Sequence, residues 1–301
     1  MNSFGKHFVF TSFGESHGKA IGGVLDGVPA GLHIDFDLIR TELLRRSGQG
    51  VCGASERAKR EPDEVEWLSG VLDGVTLGTP IAFLIRNTDA RPEDYLWLKH
   101  NYRPGHADRV YEQKYGIRDW RGGGRASARE TAARVVAGCI AKQMLRLKGI
   151  SIQAELVQVG NETDPQRFEP LIRAVRAEGD SIGGIIRCTV TGVPIGTGEP
   201  IFDKLQAHLA YAVMSINACK GFDYGTGFEG VGLYGSQANS ISGGISGGIA
   251  DGSPITFRCV FKPTPSIAQT VPGRHDACVA TRAVPVVEAM TALALADLLL
   301  P

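Results

Sequence analysis

Arg121-Gly122-Gly123-Gly124-Arg125-Ala126-Ser127-Ala128-Arg129-Glu130-Thr131 opens a helical pattern. Behind it Val135, Val136, Cys139, Ile140, Met144 and Leu147 recur near a 3.6-residue period, and the pattern stops at Gly149 after Arg146 and Lys148. Ser127 with Glu130 three residues later reads as a capping box. The three glycines leave backbone N–H groups uncovered at the helix start, where an anion is favoured. Arg121, Arg125 and Arg129 offer charge and forked donors beside it. The same order of strand pair, glycine turn and long apolar helix recurs later. There the glycine turn is Gly243-Gly244-Ile245-Ser246-Gly247-Gly248, a strand covers Pro254 to Phe261, and a helix runs from Pro285 to Leu300. That last helix has Pro at its first turn and is apolar nearly all round, so it belongs in a core.

Around these two anchors the strand signals are short. Lys6 to Ser12 reads as a strand ending in the polar knot Phe13-Gly14-Glu15-Ser16-His17-Gly18. Asp35 or Asp37 can cap a helix with Phe36, Ile39 and Leu43 on one face and Arg45-Arg46 at its end, before a Gly-rich loop from Ser47 to Ser55. Val65 to Val71 and Ile81 to Ile85 form a hairpin candidate. Ile152, Ala154 and Leu156 alternate, and the alternation slips at Val157. Phe202 to Ile216 carries few charges and reads as a mostly buried helix. These patterns predict an α+β fold: a single compact domain over residues 1–301, with antiparallel β-sheets packed on central helices as a β-α-β sandwich. Regular strand–helix alternation is lacking, which argues against a doubly wound sheet. The glycine run has Ser127 where a dinucleotide fingerprint needs its third Gly, and no Gly-Lys-Ser/Thr follows it.

Composition narrows the function. Lys+Arg and Asp+Glu are both 32 in 301 residues, so the net charge is zero. A nucleic-acid binder needs surplus positive charge, so the arginines must act locally. The chain has 39 glycines, well above the usual share of about 7%. None of the six cysteines forms a C-x-x-C pair, which disfavours a metal site or a dithiol. No apolar run reaches membrane length, because Glu288 and Asp297 interrupt the last one. The expectation is a soluble protein of a reducing compartment, the cytoplasm, without nucleic acid, membrane or metal.

Two histidines sit in Gly-bounded polar loops, His17 and His106, and titrate in the range a general acid or base needs. One isolated loop His is more often bonded to a backbone carbonyl; two, each beside hydroxyl or guanidinium groups, favour chemistry. His275 in Gly273-Arg274-His275-Asp276 is a third case, and its neighbours Arg274 and Asp276 are equally poised. Lys262-Pro263-Thr264-Pro265-Ser266 is stiff and carries hydroxyls and one ammonium. Asn217, followed by Ala218, ends an apolar helix and can cap it or read a heterocycle edge. Arg45 and Arg46 can simply satisfy a helix dipole.

Taken in order, Gly14 to Gly18, Arg103-Pro104-Gly105-His106-Ala107-Asp108, Gly122 to Thr131, Ser215-Ile216-Asn217-Ala218, Lys262 to Ser266, and Gly273 to Asp276 followed by Arg282-Ala283-Val284-Pro285 resemble the chorismate synthase family. The blocks span almost the whole chain. The resemblance implies a lyase, acting last in the shikimate pathway of aromatic amino acid biosynthesis. It converts 5-enolpyruvylshikimate 3-phosphate to chorismate and phosphate by 1,4-anti elimination. It requires reduced FMN, with NADPH as a source of electrons for the flavin, and it implies a homotetramer. By position, His17 would protonate the departing phosphate, His106 would face the flavin pyrimidine edge, and Asp276 would serve flavin N5. Arg125, Ala126, Ser127, Asn217, Ala218, Gly247, Lys262, Pro263, Thr264, Pro265, Ser266 and Arg274 would contact FMN. Arg45 and Arg57 would grip the substrate phosphate or NADPH, and Ser16 would support the His17 loop. Ala126 stands where the family has a second serine, and the segments Gly235 to Ser242 and Ser266 to Gly273 are shorter than the family's. An FMN-dependent oxidoreductase, or a non-catalytic flavin- or phospho-ligand-binding protein, would share many of these contacts. The presence of His17, His106 and Asp276 argues against the non-catalytic reading, and NADPH consumption under anaerobic conditions separates the oxidoreductase from the lyase.

Overall fold

The computed structural model describes residues 1–49, 54, 63–240, 242–268 and 276–300. The N-terminal half runs β1 (Ser3–Phe4), β2 (Val9–Phe13), β3 (Ala20–Asp26), α1 (Phe36–Ser47), β4 (Val65–Trp67), β5 (Val71–Leu72), β6 (Val75–Thr76) and β7 (Ile81–Arg86). After α2 (Asp108–Tyr115) and α3 (Thr131–Leu147) come β8 (Ser151–Val159), α4 (Pro165–Ala177), β9 (Gly184–Thr191), α5 (Leu205–Met214) and β10 (Cys219–Tyr224). A small hairpin of β11 (Ile245–Ser246) and β12 (Ile249–Ala250) precedes β13 (Ile255–Phe261) and α6 (Ala280–Leu299).

Two larger sheets carry the architecture, ordered β1-β2-β3-β7-β4 and β10-β13-β9-β8. Their neighbours pair antiparallel. Helices α3 and α6 pack on each other between them, α3 against β2, β3 and β7, and α6 against β8 and β9. This is the α+β sandwich that the periodicities predict. Each central helix has sheet on one side and helix on the other, so both are buried almost all round. Gly138 permits the close crossing: a Cβ there would lie 2.3 Å from the Cβ of Ala289. No described helix is long and apolar enough to cross a membrane.

The charges inside α6 are anchors. Asp297 accepts the backbone N–H groups of Lys6, His7 and Phe8 at 2.7, 2.6 and 2.9 Å, tying the N-terminal turn to the helix end. Glu288 belongs to an ion cluster with Arg45, Lys142 and Glu42.

Local readings fared unevenly. The slip at Val157 is a bulge, since Leu156 pairs with Ile186 and Gln158 with Ile185. The expected hairpin pairs Val65 with Ile85 and Trp67 with Phe83, with the β5–β6 ribbon inserted between its arms. Asp35 caps α1 by accepting from the Leu38 N–H. The capping box does not close: Ser127 Oγ accepts from the Arg129 N–H, whereas the Glu130 carboxylate turns to Arg134. A guanidinium one turn away gives that carboxylate a stronger partner than a backbone N–H. Helix α6 starts at Ala280, so Pro285 lies inside it rather than at its first turn. Helix α5 buries Leu205, Leu209, Ala212 and Val213 but leaves Tyr211 exposed, stacked on Phe4, because α5 packs on α6 and β10 on one side only. Most of the expected Gly-rich loop after α1 lies outside the described residues.

Candidate active site

One cavity of about 360 Å³ draws on most of the chain: the His17 loop, the end of α1, the Arg103–Ala107 turn, the glycine run, the turn after α5, the segment after β13 and the start of α6. His17 and His106 both line it. Gly122 shapes the first of them. Its φ is +62°, and a Cβ there would lie 2.1 Å from the His17 ring, so only glycine lets the backbone lie against the imidazole. Tyr95 meets the same ring edge-on at 4.8 Å between centroids. His17 is 4% exposed. Ser16 Oγ lies 3.0 Å from His17 Nδ1 and donates to the Gly122 carbonyl at 3.2 Å. With its proton given to that carbonyl, Ser16 accepts from Nδ1–H. That contact holds the proton of the neutral ring on Nδ1.

The Arg103–Asp108 pair closes the loop carrying His106. Asp108 is the first residue of α2 and takes the Arg103 backbone N–H, Nε and Nη2 at 2.9, 2.9 and 2.7 Å. Burial pushes the Asp108 carboxyl up, but the bonds from Arg103 outweigh it and hold it below the usual range. His106 Nε2 meets the buried Ser266 Oγ at 2.6 Å.

Three buried guanidiniums form one wall. Arg46 Nη2 donates to Asp63 at 3.0 Å, and Arg129 Nη1 donates to the other oxygen of the same carboxylate. Arg282 donates to both oxygens of Asp276 at 2.9 and 2.8 Å and, through Nε, to the Arg46 carbonyl. Burial lowers the Arg46 guanidinium to about 10; Asp63 raises it, while Arg282 and Arg129 lower it. It stays charged at neutral pH but is under-compensated. Among the described residues its Nε has no partner, and neither does the buried Oδ1 of Asn217. Asn217 Nδ2 is held by the Ala126 carbonyl at 3.0 Å, and Ala218 after it sits at φ +67°, a strained conformation for a residue with a Cβ. The Asn217 contact uses the Ala126 backbone, so the missing serine hydroxyl does not affect it.

Of the residues expected from sequence, the cavity gathers His17, His106, Asp276, Ala126, Ser127, Asn217, Ala218, Lys262, Thr264, Pro265 and Ser266. Ser16 stands behind His17, and Pro263 lies within the Lys262–Ser266 segment. Three expected residues lie elsewhere. Arg45 turns to Glu42 and Glu288, and its neighbour Arg46 lines the cavity instead. Arg125 staples the glycine run to β2 through Ser12 and Gly14. Gly247 is in the turn of the β11–β12 hairpin. Of the three arginines around the glycine run only Arg129 faces the cavity, since Arg121 is held by Asp119. Arg57 and Arg274 lie outside the described residues. Sequence reasoning assigned no role to Asp63, Tyr95, Arg103 or Arg282. Their partners lie on other segments or, for Arg103, five residues on, beyond any period-based reading.

Fold and cavity together describe an α+β sandwich protein with two histidines beside buried arginines in one cavity. A family model described as chorismate synthase matches residues 8–300. The chain is 48% identical to "Chorismate synthase" of Christiangramia forsetii over 346 positions, covering 98% of this chain and 96% of that protein. It is 47% identical to "Chorismate synthase" of Porphyromonas gingivalis over 351 positions, at 99% and 95% coverage. A solved structure described as "Crystal Structure of Chorismate Synthase" superposes with a TM-score of 0.80 at 32% identity, covering 99% of this chain and 93% of that one. The chain belongs to the chorismate synthase family and is a chorismate-forming lyase. Both alignments run longer than the 301 residues of the chain, so it is shortened inside the matched region.

Proposed function

We propose that the cavity holds reduced FMN beside 5-enolpyruvylshikimate 3-phosphate and that the chain directs a 1,4-anti elimination. In it a carbon–hydrogen bond and the carbon–oxygen bond to phosphate break, and one carbon–carbon double bond is gained without net redox change. The observation that carries this reading is one cavity in which His17 and His106 lie with the buried guanidiniums of Arg46, Arg129 and Arg282. Those cations call for an anionic ligand, and a phosphate ester with carboxylates answers them. Asn217, on the same lining, would read the imide edge of a flavin. When bound, reduced flavin would supply an electron-rich ring and a nitrogen able to take up the substrate hydrogen.

The chain's own groups do the rest. Arg46 and Arg129 hold substrate anions, with Arg103 behind the His106 turn. His17, its Nδ1 fixed by Ser16, delivers a proton from Nε2 to the departing phosphate. His106, held by Ser266, would hold the pyrimidine edge of the flavin, and Asp276, oriented by Arg282, would hold or move a proton at its central nitrogen. Ala126, Ser127, Ala218 and the Lys262–Ser266 segment would hold the rest of the ring. NADPH is assigned as the reductant of the flavin. Exposed Phe202, Phe228, Val231 and Tyr234 supply apolar surface for a homotetramer. Anaerobic turnover with reduced FMN, read as phosphate release, tests the reading. His17→Ala and His106→Ala are expected to cut turnover by roughly a hundredfold or more while FMN affinity changes little. Normal chorismate formation by His106→Ala would contradict it.

A further inference from the structure

Asn87 stands one residue past the end of β7 and touches both sides of the site. Its Nδ2 donates to the carbonyls of Glu15 and Gly18, both at 2.9 Å. Its own N–H donates to the Lys19 carbonyl at 3.2 Å, and the Gly18 N–H closes back on Glu15 at 3.0 Å. Ser16 and His17 are the residues enclosed by that turn. On its other face Asn87 Oδ1 accepts from Arg129 Nε at 3.0 Å. Arg129 in turn grips Asp63, which also holds Arg46. One primary amide thus connects the loop of the acid to the guanidinium wall.

The amide cannot be turned over without setting its oxygen against two carbonyls and its NH₂ against a guanidinium, so its neighbours fix its orientation. No other short side chain supplies the same set. A carboxylate lacks the donors, a hydroxyl has one, and glutamine is a methylene too long. We propose that Asn87 is a positioning residue. It locks the His17 loop against Arg129, so that the proton donor and the anion-binding cation face one leaving group in a fixed relation. This rests on the reading of His17 as the acid. A small displacement of a catalytic group is enough to matter, since about 1 Å of misplacement costs on the order of a hundredfold in rate.

The test uses Asn87→Asp, which keeps the shape and the Arg129 contact but faces the two carbonyls with a carboxylate. It is assayed on the FMN-loaded, anaerobic enzyme, in the native and in the His17→Ala background. Amide hydrogen exchange of residues 15–18 is followed on the protein without added ligand. The expected loss in kcat is roughly tenfold or more with KM within about threefold, and less than about twofold in kcat once His17 is absent. Exchange in the 15–18 loop accelerates while α3 and α6 stay protected. An unchanged kcat, an equal fold loss in both backgrounds, or unchanged loop exchange overturns the proposal. Should the aspartate variant not fold, Asn87→Ser is read with the same outcomes. If His17→Ala alone keeps full turnover, the reading of the acid falls and this role falls with it; the exchange data then identify Asn87 as a loop clamp and nothing more.

Discussion

Arg45 and Arg46 are consecutive in α1 and end in opposite settings. Arg45 joins Glu42, Glu288 and Lys142 in a cluster of two cations and two carboxylates, where Glu288 also accepts the Ala154 N–H. Burial lowers the Arg45 guanidinium, yet hydrogen bonds and charge from Glu288 and Glu42 outweigh it and raise it. Among the described residues Arg46 is buried with Arg129 and Arg282 around Asp63 and Asp276, three cations to two carboxylates, and is lowered to about 10. The balanced cluster ties α1, α3, α6 and β8 together. The unbalanced one, with an orphaned donor, lacks an anion that the described residues do not provide. Arginine content alone does not mark a ligand site; uncompensated arginine does.

Glu288→Ala leaves Lys142 and part of Arg45 uncompensated, so a loss of about 3–5 kcal/mol is expected in denaturant unfolding, with turnover of the folded fraction unchanged. A loss below about 1 kcal/mol would make the cluster ornamental. Arg46→Met is expected to weaken substrate binding by about 1.5–3 kcal/mol, roughly ten- to a hundredfold, with stability unchanged or raised. A stability loss without a binding loss would move Arg46 into the architecture.

The pH response sharpens the same contrast. Burial pushes the Glu288 carboxyl up, but Arg45 and Lys142 outweigh it and hold it below the usual range. Its stabilisation is therefore fully present above the unfolded value, about 4.3, and is lost as pH falls through its lower folded value. Glu288→Gln should flatten that acid limb in unfolding free energy measured against pH. The smallest effect belongs to Arg45→Met. Its side chain is 39% exposed, so a stability loss under about 1 kcal/mol is expected.

The central helices were legible because burial from both sides leaves apolar runs, as in Val135 to Leu147 and Pro285 to Leu300. The Val157 bulge was legible because alternation shows a slipped register directly. The Pro285 start was misplaced because proline is most at home in a first turn, whereas α6 carries it one turn further in, where one i→i−4 hydrogen bond is lost. In the site, His17, His106 and Asn217 stood out through glycine loops and helix ends. Arg46 was indistinguishable from Arg45, since a helix-end pair gives no clue to which residue turns inward. Asp63, Asn87 and Arg282 reach Arg129 and the Arg46 carbonyl from 66, 42 and 236 residues away in sequence, which no local pattern carries.

The under-compensated arginine wall is the proposed binding place of the substrate's anions. The dissociation constant of 5-enolpyruvylshikimate 3-phosphate, measured calorimetrically on FMN-loaded protein for the native chain, Arg46→Met and Arg45→Met in parallel, tests it most directly. The account predicts at least about tenfold weaker binding for Arg46→Met and a change within about twofold for Arg45→Met. Equal losses in the two variants, or a larger loss for Arg45→Met, would contradict it.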